Sequence, residues 1–199
     1  MLRVVVLVSG GGTNLQALID AQNKGILGNA RIVKVISSNQ NAYALKRAKT
    51  AKIETVAVER KNFENNILFE KTLINEIVKC NASLIVLAGF MSILSPDFIQ
   101  QFRGMIINVH PSLIPSFCGK GYYGLKVHEA ALEKGVKITG ATVHLVNEIP
   151  DGGEIILQKA VEVLDDDTPT TLQKRVMAQA EWVILPKAVA MIAKNKENK

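Results

Sequence analysis

Three residues of this chain have types and spacing suited to acyl chemistry: Asn108, His110 and Asp151. Asn108 and His110 lie one residue apart in Ile106-Ile107-Asn108-Val109-His110-Pro111-Ser112, where an apolar strand ends. On an extended backbone their side chains project to one side. A carboxamide N–H and an imidazolium N–H converging there suit an oxygen that gains negative charge, as a carbonyl does when a nucleophile adds to it. Pro111 has no N–H to continue a ladder, so the strand stops and opens into a loop, where the chemistry of open α/β sheets collects. Asp151 falls in the turn Asn147–Gly153, where Pro150, Gly152 and Gly153 fix its direction, and it is the candidate partner of His110. Thr142 and His144 alternate on the strand before that turn, with His144 read as a structural hydrogen-bonder beside the site. Against this stands a plainer reading: a histidine after a strand is commonly a satisfied loop residue, and Asn-x-His-Pro alone is a weak signal.

A second constellation lies at the N-terminus. The apolar run 2–9 is followed by Ser9-Gly10-Gly11-Gly12-Thr13-Asn14, and a helical pattern begins at Leu15. Strand, glycine loop and helix together offer backbone N–H groups and a positive helix end to a phosphate. A dinucleotide fingerprint would need glycine at Leu15 and an acid after the second strand, where Asn39 stands; a Walker loop would need Gly-Lys-Ser/Thr. The loop therefore favours a phosphate monoester, unless the glycines serve only to pack strand on helix. The apolar segment Phe90–Pro96 after Gly89 either caps the core or lines a pocket for a flat ligand. Gly119, Gly121 and Gly124 mark residues 116–124 as a mobile flap.

The elements that must position these residues alternate between strand and helix. Strands are predicted at 2–9, 30–37, 55–58, 84–88, 105–108, 136–146 and 155–163, which implies one doubly wound, mostly parallel α/β sheet. A helix from about Asn62 carries Phe63, Ile67, Ile74, Ile77 and Val78 as its expected core stripe. Thr168-Pro169 starts the last helix, which runs to about Lys194 with a kink expected at Pro186. A single domain over 1–193 with a polar tail, 194–199, accounts for the whole chain.

Composition narrows the partners. The net charge of +6 favours an anionic ligand, but only 5% of residues are aromatic and no basic stretch is interleaved with them, which argues against a nucleic-acid surface. Cys80 and Cys118 lack metal-ligand spacing and read as reduced thiols; no metal is expected. With neither a secretory signal nor a bilayer-length apolar run, the sequence predicts a cytoplasmic protein without a membrane partner.

Read together, Ser9–Gln16, Leu87–Met91, Asn108–Pro115 and Asp151-Gly152-Gly153 resemble, in order and spacing, the folate-dependent glycinamide ribonucleotide formyltransferases of purine biosynthesis. The resemblance covers almost the whole chain and implies a Rossmann-like formyltransferase fold. It implies that Asn108, His110 and Asp151 are catalytic, and that Gly11, Gly12, Thr13 and Asn14 hold the ribonucleotide phosphate while Glu181 binds its ribose. By the same likeness Leu87, Phe90, Met91, Ile93, Leu94, Val146, Asn147 and Glu148 line the folate pocket. The co-substrate implied is 10-formyltetrahydrofolate, and monomer and homodimer both stay open. Many relatives carry arginine where Ser92 stands and some carry another where Asn66 stands, leaving Lys120 as a candidate for the glutamate tail; the match slips around Ala178–Ala180. A formyl-folate hydrolase would share the trio, transformylases acting on tRNA or sugars would need further domains, and a silent binding protein is the alternative from another class.

Overall fold

The computed structural model describes residues 1–197. Its strands are β1 (Leu2–Val8), β2 (Ala30–Ser37), β3 (Glu54–Ala57), β4 (Leu84–Leu87), β5 (Ile106–His110), β6 (Ile138–Leu145) and β7 (Ile155–Glu162). The helices are α1 (Thr13–Asn23), α2 (Tyr43–Thr50), α3 (Asn66–Val78), α4 (Pro96–Gln101), α5 (Leu125–Lys134), α6 (Pro169–Val176) and α7 (Trp182–Glu197). One sheet takes the order β3-β2-β1-β4-β5-β6-β7. β1 to β5 are parallel, whereas β6 runs antiparallel to both β5 and β7. The turn joining β6 to β7 is too short for a crossover, so those strands pair as a hairpin.

β1 explains why the N-terminal run is apolar throughout: Val4 to Val8 are all fully buried. Val4, Val6 and Val8 face a core shared with α1, α2, α6 and α7, while Val5 and Leu7 face a second core under α3 and α4. The alternation assigns each residue of β5 in the same way. Ile107 and Val109 join the first core and Ile106 the second, so Asn108 and His110 point to the α3–α4 side.

Two expectations need correction here. α3 begins at Asn66, after a 3₁₀ turn at Arg60–Asn62, and its buried face is Phe69, Leu73 and Ile77; Ile67 and Val78 are exposed. Asn65 accepts from the Leu68 amide and caps the helix there, and the helix seats its Phe69–Leu73–Ile77 face on the second core. The last helix departs from α geometry before Pro186, in a π turn at Met177–Glu181, and continues through the proline. A π turn holds one residue more than an α turn, and this one spans the 178–180 stretch.

The helical run Pro169–Lys196 is long and apolar enough to span a bilayer by length and composition, contrary to the sequence reading. Its apolar side, from Leu172 and Val176 to Ala188 and Val189, is buried in the first core. Much of the expected polar tail is helical as well: α7 reaches Glu197 and Lys196 Nζ donates to the Ser83 carbonyl. Residues 198 and 199 lie outside the described residues.

Candidate active site

The strand order reverses at β1, which has β2 on one side and β4 on the other, so the connections after β1 and β4 flank an open crevice at their carboxyl ends. Ser9 ties these ends together: its hydroxyl pairs with that of Ser38 at 2.6 Å and accepts from the Met91 amide at 2.8 Å. Both constellations open beside this crevice.

On β5, Asn108 stands opposite His144 and His110 opposite Thr142. The His110 ring is buried, with Nε2 donating to the Phe117 carbonyl at 2.8 Å and Nδ1 3.5 Å from Asp151 Oδ2. Acceptors face both ring nitrogens. His144 donates from Nδ1 to the Leu145 carbonyl at 2.8 Å, and its Nε2 lies 3.3 Å from Asn108 Nδ2. This orients the carboxamide and leaves its second N–H available. Asp151 accepts from the Gly119 amide at 2.8 Å and lies 3.6 Å from His144 Nε2. Burial pushes the Asp151 carboxyl up, but His144, the Gly119 amide and the charge of His110 outweigh it and hold the acid below its ordinary range.

The turn that presents Asp151 depends on its glycines. Asp151 itself has φ 56°, and a Cβ on Gly153 would lie 1.7 Å from the Leu145 carbonyl oxygen. Thr142 anchors the other flank, donating to the Ser112 carbonyl at 2.7 Å and accepting from the Ile114 amide at 3.1 Å. The 116–124 segment contributes directly to the site through the Phe117 carbonyl and the Gly119 amide. The two donors expected to converge are therefore unequal here: Asn108 has a free N–H, whereas His110 Nε2 is taken by Phe117. A substrate oxygen that uses His110 must displace that carbonyl.

At the N-terminal loop the peptides are fixed from behind. The carbonyls of Gly10, Gly11 and Gly12 accept from Ala44 N at 3.1 Å, Arg47 Nε at 2.8 Å and Gln16 N at 2.9 Å. In a trans peptide the next N–H points the opposite way, so the amides of Gly11 and Gly12 turn away from α2 and that of Thr13 points out from the start of α1. Among the described residues the Gly11 and Gly12 amides donate to no protein acceptor, and Thr13 is in the first turn of α1, where N–H groups lack helical partners. Gly12 has φ 71°, and a Cβ there would lie 2.6 Å from Ala44 Cβ.

Asn14 is placed differently from its neighbours. Its side chain is buried and donates to Glu181 Oε2 at 2.6 Å, so it supports the π turn rather than facing an anion with the loop amides. Burial pushes the Glu181 carboxyl up, a shift that Asn14 only partly offsets.

The apolar candidates also divide. Leu87, Phe90 and Val146 are half-buried against the α3–α4 core and Leu94 is buried within it, but Met91 and Ile93 are exposed, Ile93 at 89%. Asn147 folds back on its own turn, donating to the Gly152 carbonyl and accepting from Ile149 N, and Glu148 is exposed. A groove of about 530 Å³ between α1 and α7 reaches Thr13 at the end of the loop and Arg47 on α2, and none of the trio lines it.

The model of the formyl transferase family matches residues 2–189. The chain belongs to this family. It is 43% identical over 186 residues to phosphoribosylglycinamide formyltransferase of Haemophilus influenzae, covering 94% of this chain and 84% of that protein. It is also 43% identical over 191 residues to the human trifunctional purine biosynthetic protein adenosine-3, covering 96% of this chain but only 18% of that longer protein. Among solved structures, glycinamide ribonucleotide transformylase 1 from Symbiobacterium toebii superposes with a TM-score of 0.91 at 37% identity, covering 98% of this chain and 89% of that one.

Within this family frame, sequence reasoning missed the Phe117 carbonyl, the Gly119 amide, Ser9 and Arg47. The first two are backbone groups, whose direction no residue type announces. Arg47 is one of three basic residues in a short helix pattern and reads in the sequence as an ordinary solvated cation.

Proposed function

We propose that Asn108, His110 and Asp151 carry the formyl transfer for which the family is known, from 10-formyltetrahydrofolate to the amine of glycinamide ribonucleotide in purine biosynthesis. The observation that carries this reading is the meeting of Asn108, His110, His144 and Asp151 beside a loop with outward-facing amides. The amine attacks the formyl carbon as the neutral base, and an α-amino group with a pKa of about 7.7–8 supplies that form near neutral pH. A carbon–nitrogen bond forms, and the Asn108 amide and His110 imidazolium receive the tetrahedral oxyanion. Asp151 stabilises the imidazolium and, directly or through a water, assists the proton from the attacking amine to N10 of the folate as that bond breaks.

The amides of Gly11, Gly12 and Thr13 hold the phosphate, and the Asn14–Glu181 pair supports the ribose. Leu87, Phe90 and Val146 form the wall for the pterin, with Met91, Ile93 and Leu94 around it and Asn147 and Glu148 at its rim. Thr142 and His144 hold the trio in place. The reaction belongs in the cytoplasm, with monomer or homodimer as the working form and no nucleic acid or membrane involved.

The deciding experiment follows loss of the formyl group of 10-formyltetrahydrofolate by absorbance, with and without glycinamide ribonucleotide. Turnover only with the ribonucleotide supports the transferase. Equal turnover without it would make the chain a hydrolase instead.

A further inference from the structure

The loop Gly10-Gly11-Gly12 has three consecutive peptides whose direction matters, and they are not secured alike. The Gly10 carbonyl is held by the Ala44 amide and the Gly12 carbonyl by the Gln16 amide, both backbone donors that any sequence would supply. The Gly11 carbonyl between them is held by a side chain, Arg47 Nε, at 2.8 Å. Like the Gly10–Gly11 peptide before it, this middle peptide has glycine on both sides, so no Cβ opposes its rotation, and it alone lacks a backbone donor on its carbonyl. If it flipped, the Gly12 N–H would swing inward and the Gly11 carbonyl oxygen would face the anion instead.

From these contacts we infer that Arg47 is a positioning residue for the ribonucleotide phosphate, holding the Gly11–Gly12 peptide with its N–H toward the ligand; the inference rests on the proposed role of the loop. The guanidinium is itself held on two further sides. It donates from Nη1 to Gln16 Oε1 at 3.0 Å and lies over the Tyr43 ring, 4.9 Å from its centroid. Gln16 is the residue whose backbone amide secures the Gly12 carbonyl, so Arg47 links two of the three supports. Its fixed charge beside the loop also favours a dianionic group over a neutral one. Lysine is not an equivalent here, since an ammonium lacks the planar fork that bonds Gly11 and Gln16 together while stacking on Tyr43.

The test compares the wild-type protein with Arg47→Met and Arg47→Lys, measuring dissociation constants for glycinamide ribonucleotide and for a formyl-folate analogue by calorimetry, with KM and kcat for turnover. Arg47→Met is expected to raise the ribonucleotide dissociation constant and KM roughly tenfold or more, to change kcat by much less, and to leave folate affinity within about twofold. Arg47→Lys should recover part of that loss. Ribonucleotide binding unchanged in both variants, or equal losses for both ligands, would overturn the inference while the transferase reading stood. Failure of the wild-type protein to bind the ribonucleotide would remove both together. If Arg47→Met does not fold, the arginine–lysine comparison decides: wild-type affinity in Arg47→Lys refutes the positioning role, and a selective intermediate loss supports it.

Discussion

The two halves of the crevice are built from different materials. After β1, the proposed binding surface is backbone: three amides aimed outward because their preceding carbonyls are held from behind. Across β5 and β6 it is side chain, an amide, two imidazoles and a carboxylate joined through contacts of 3.3–3.6 Å. The first half is suited to binding a charge that does not change, and the second to meeting one that develops during reaction. Substitutions should therefore act on different quantities. Asn108→Ala and His110→Ala are expected to lower kcat by roughly 10² to 10³, the cost of one oxyanion donor, with the ribonucleotide dissociation constant nearly unchanged. Steady-state kinetics beside calorimetry would check this, and a large loss of ribonucleotide affinity with intact turnover would erase the division between the halves.

The converse substitution is Gly12→Ala. The new Cβ would lie 2.6 Å from Ala44 Cβ, and the residue would have to keep φ 71°. Left-handed strain of about 1–2 kcal/mol and overpacking of about 1–3 kcal/mol both act on the loop. Urea denaturation should show a loss of about 2–5 kcal/mol, with ribonucleotide affinity falling more than kcat. A stable variant with normal affinity would mean that the loop tolerates another backbone course and that its glycines are not there for close approach.

What could be read in the sequence follows the same division. Alternation placed Asn108, His110, Thr142 and His144 correctly on one face, because a strand's period of two is rigid. The glycine loop and the Asp151 turn were legible because only glycine fits φ 71° against Ala44, or a Cα close to the Leu145 carbonyl. The buried face of α3 was not: Ile67 and Ile77 both look like core residues, and only the way the helix seats on the sheet, with Phe69, Leu73 and Ile77 inward, decides between them. Neither the antiparallel course of β6 nor the π turn carries a residue-type signal. Both follow from how distant segments close against each other, and the roles of Phe117 and Gly119 follow from carbonyl and amide directions alone.

Glu181 connects the loop to the C-terminal helices, so it tests how far the backbone half extends. Glu181→Ala removes the acceptor of Asn14 Nδ2 and leaves a buried amide unpaired, at about 1–3 kcal/mol. Ribonucleotide affinity should weaken more than folate affinity; equal losses by calorimetry would place Glu181 outside the ribonucleotide half. A smaller effect is expected where this helical run begins. Asp167 is held down to about 2 by the Arg175 guanidinium against the opposing effect of burial, with further help from the Leu164 amide and the Thr171 hydroxyl. A depressed carboxylate contributes stability above its unfolded pKa of about 3.9, and that contribution is lost as pH falls toward about 2. Discounted for solvent screening, Asp167→Asn should cost about 1 kcal/mol at pH 7 in urea denaturation, and the gap from wild type should close between about pH 4 and 2. A gap independent of pH would show that Asp167 acts through shape rather than charge.

The smallest effect belongs to Cys118, which tests where the side-chain half ends. Its thiol donates to the Pro115 carbonyl at 3.2 Å and lies beside Gly119, whose amide holds Asp151. A nucleophilic cysteine needs an electropositive setting that favours the thiolate. Here burial pushes the thiol up, and the negative charge of Asp151 pushes it further in the same direction. Cys118→Ser should leave kcat/KM within about twofold, and iodoacetamide at pH 7.5 should alkylate Cys118 more slowly than a free thiol of pKa about 8.5. Rapid alkylation would show that the 116–124 segment opens far enough to free Cys118 from Asp151, and the Phe117–His110 contact would then be one state of a moving segment.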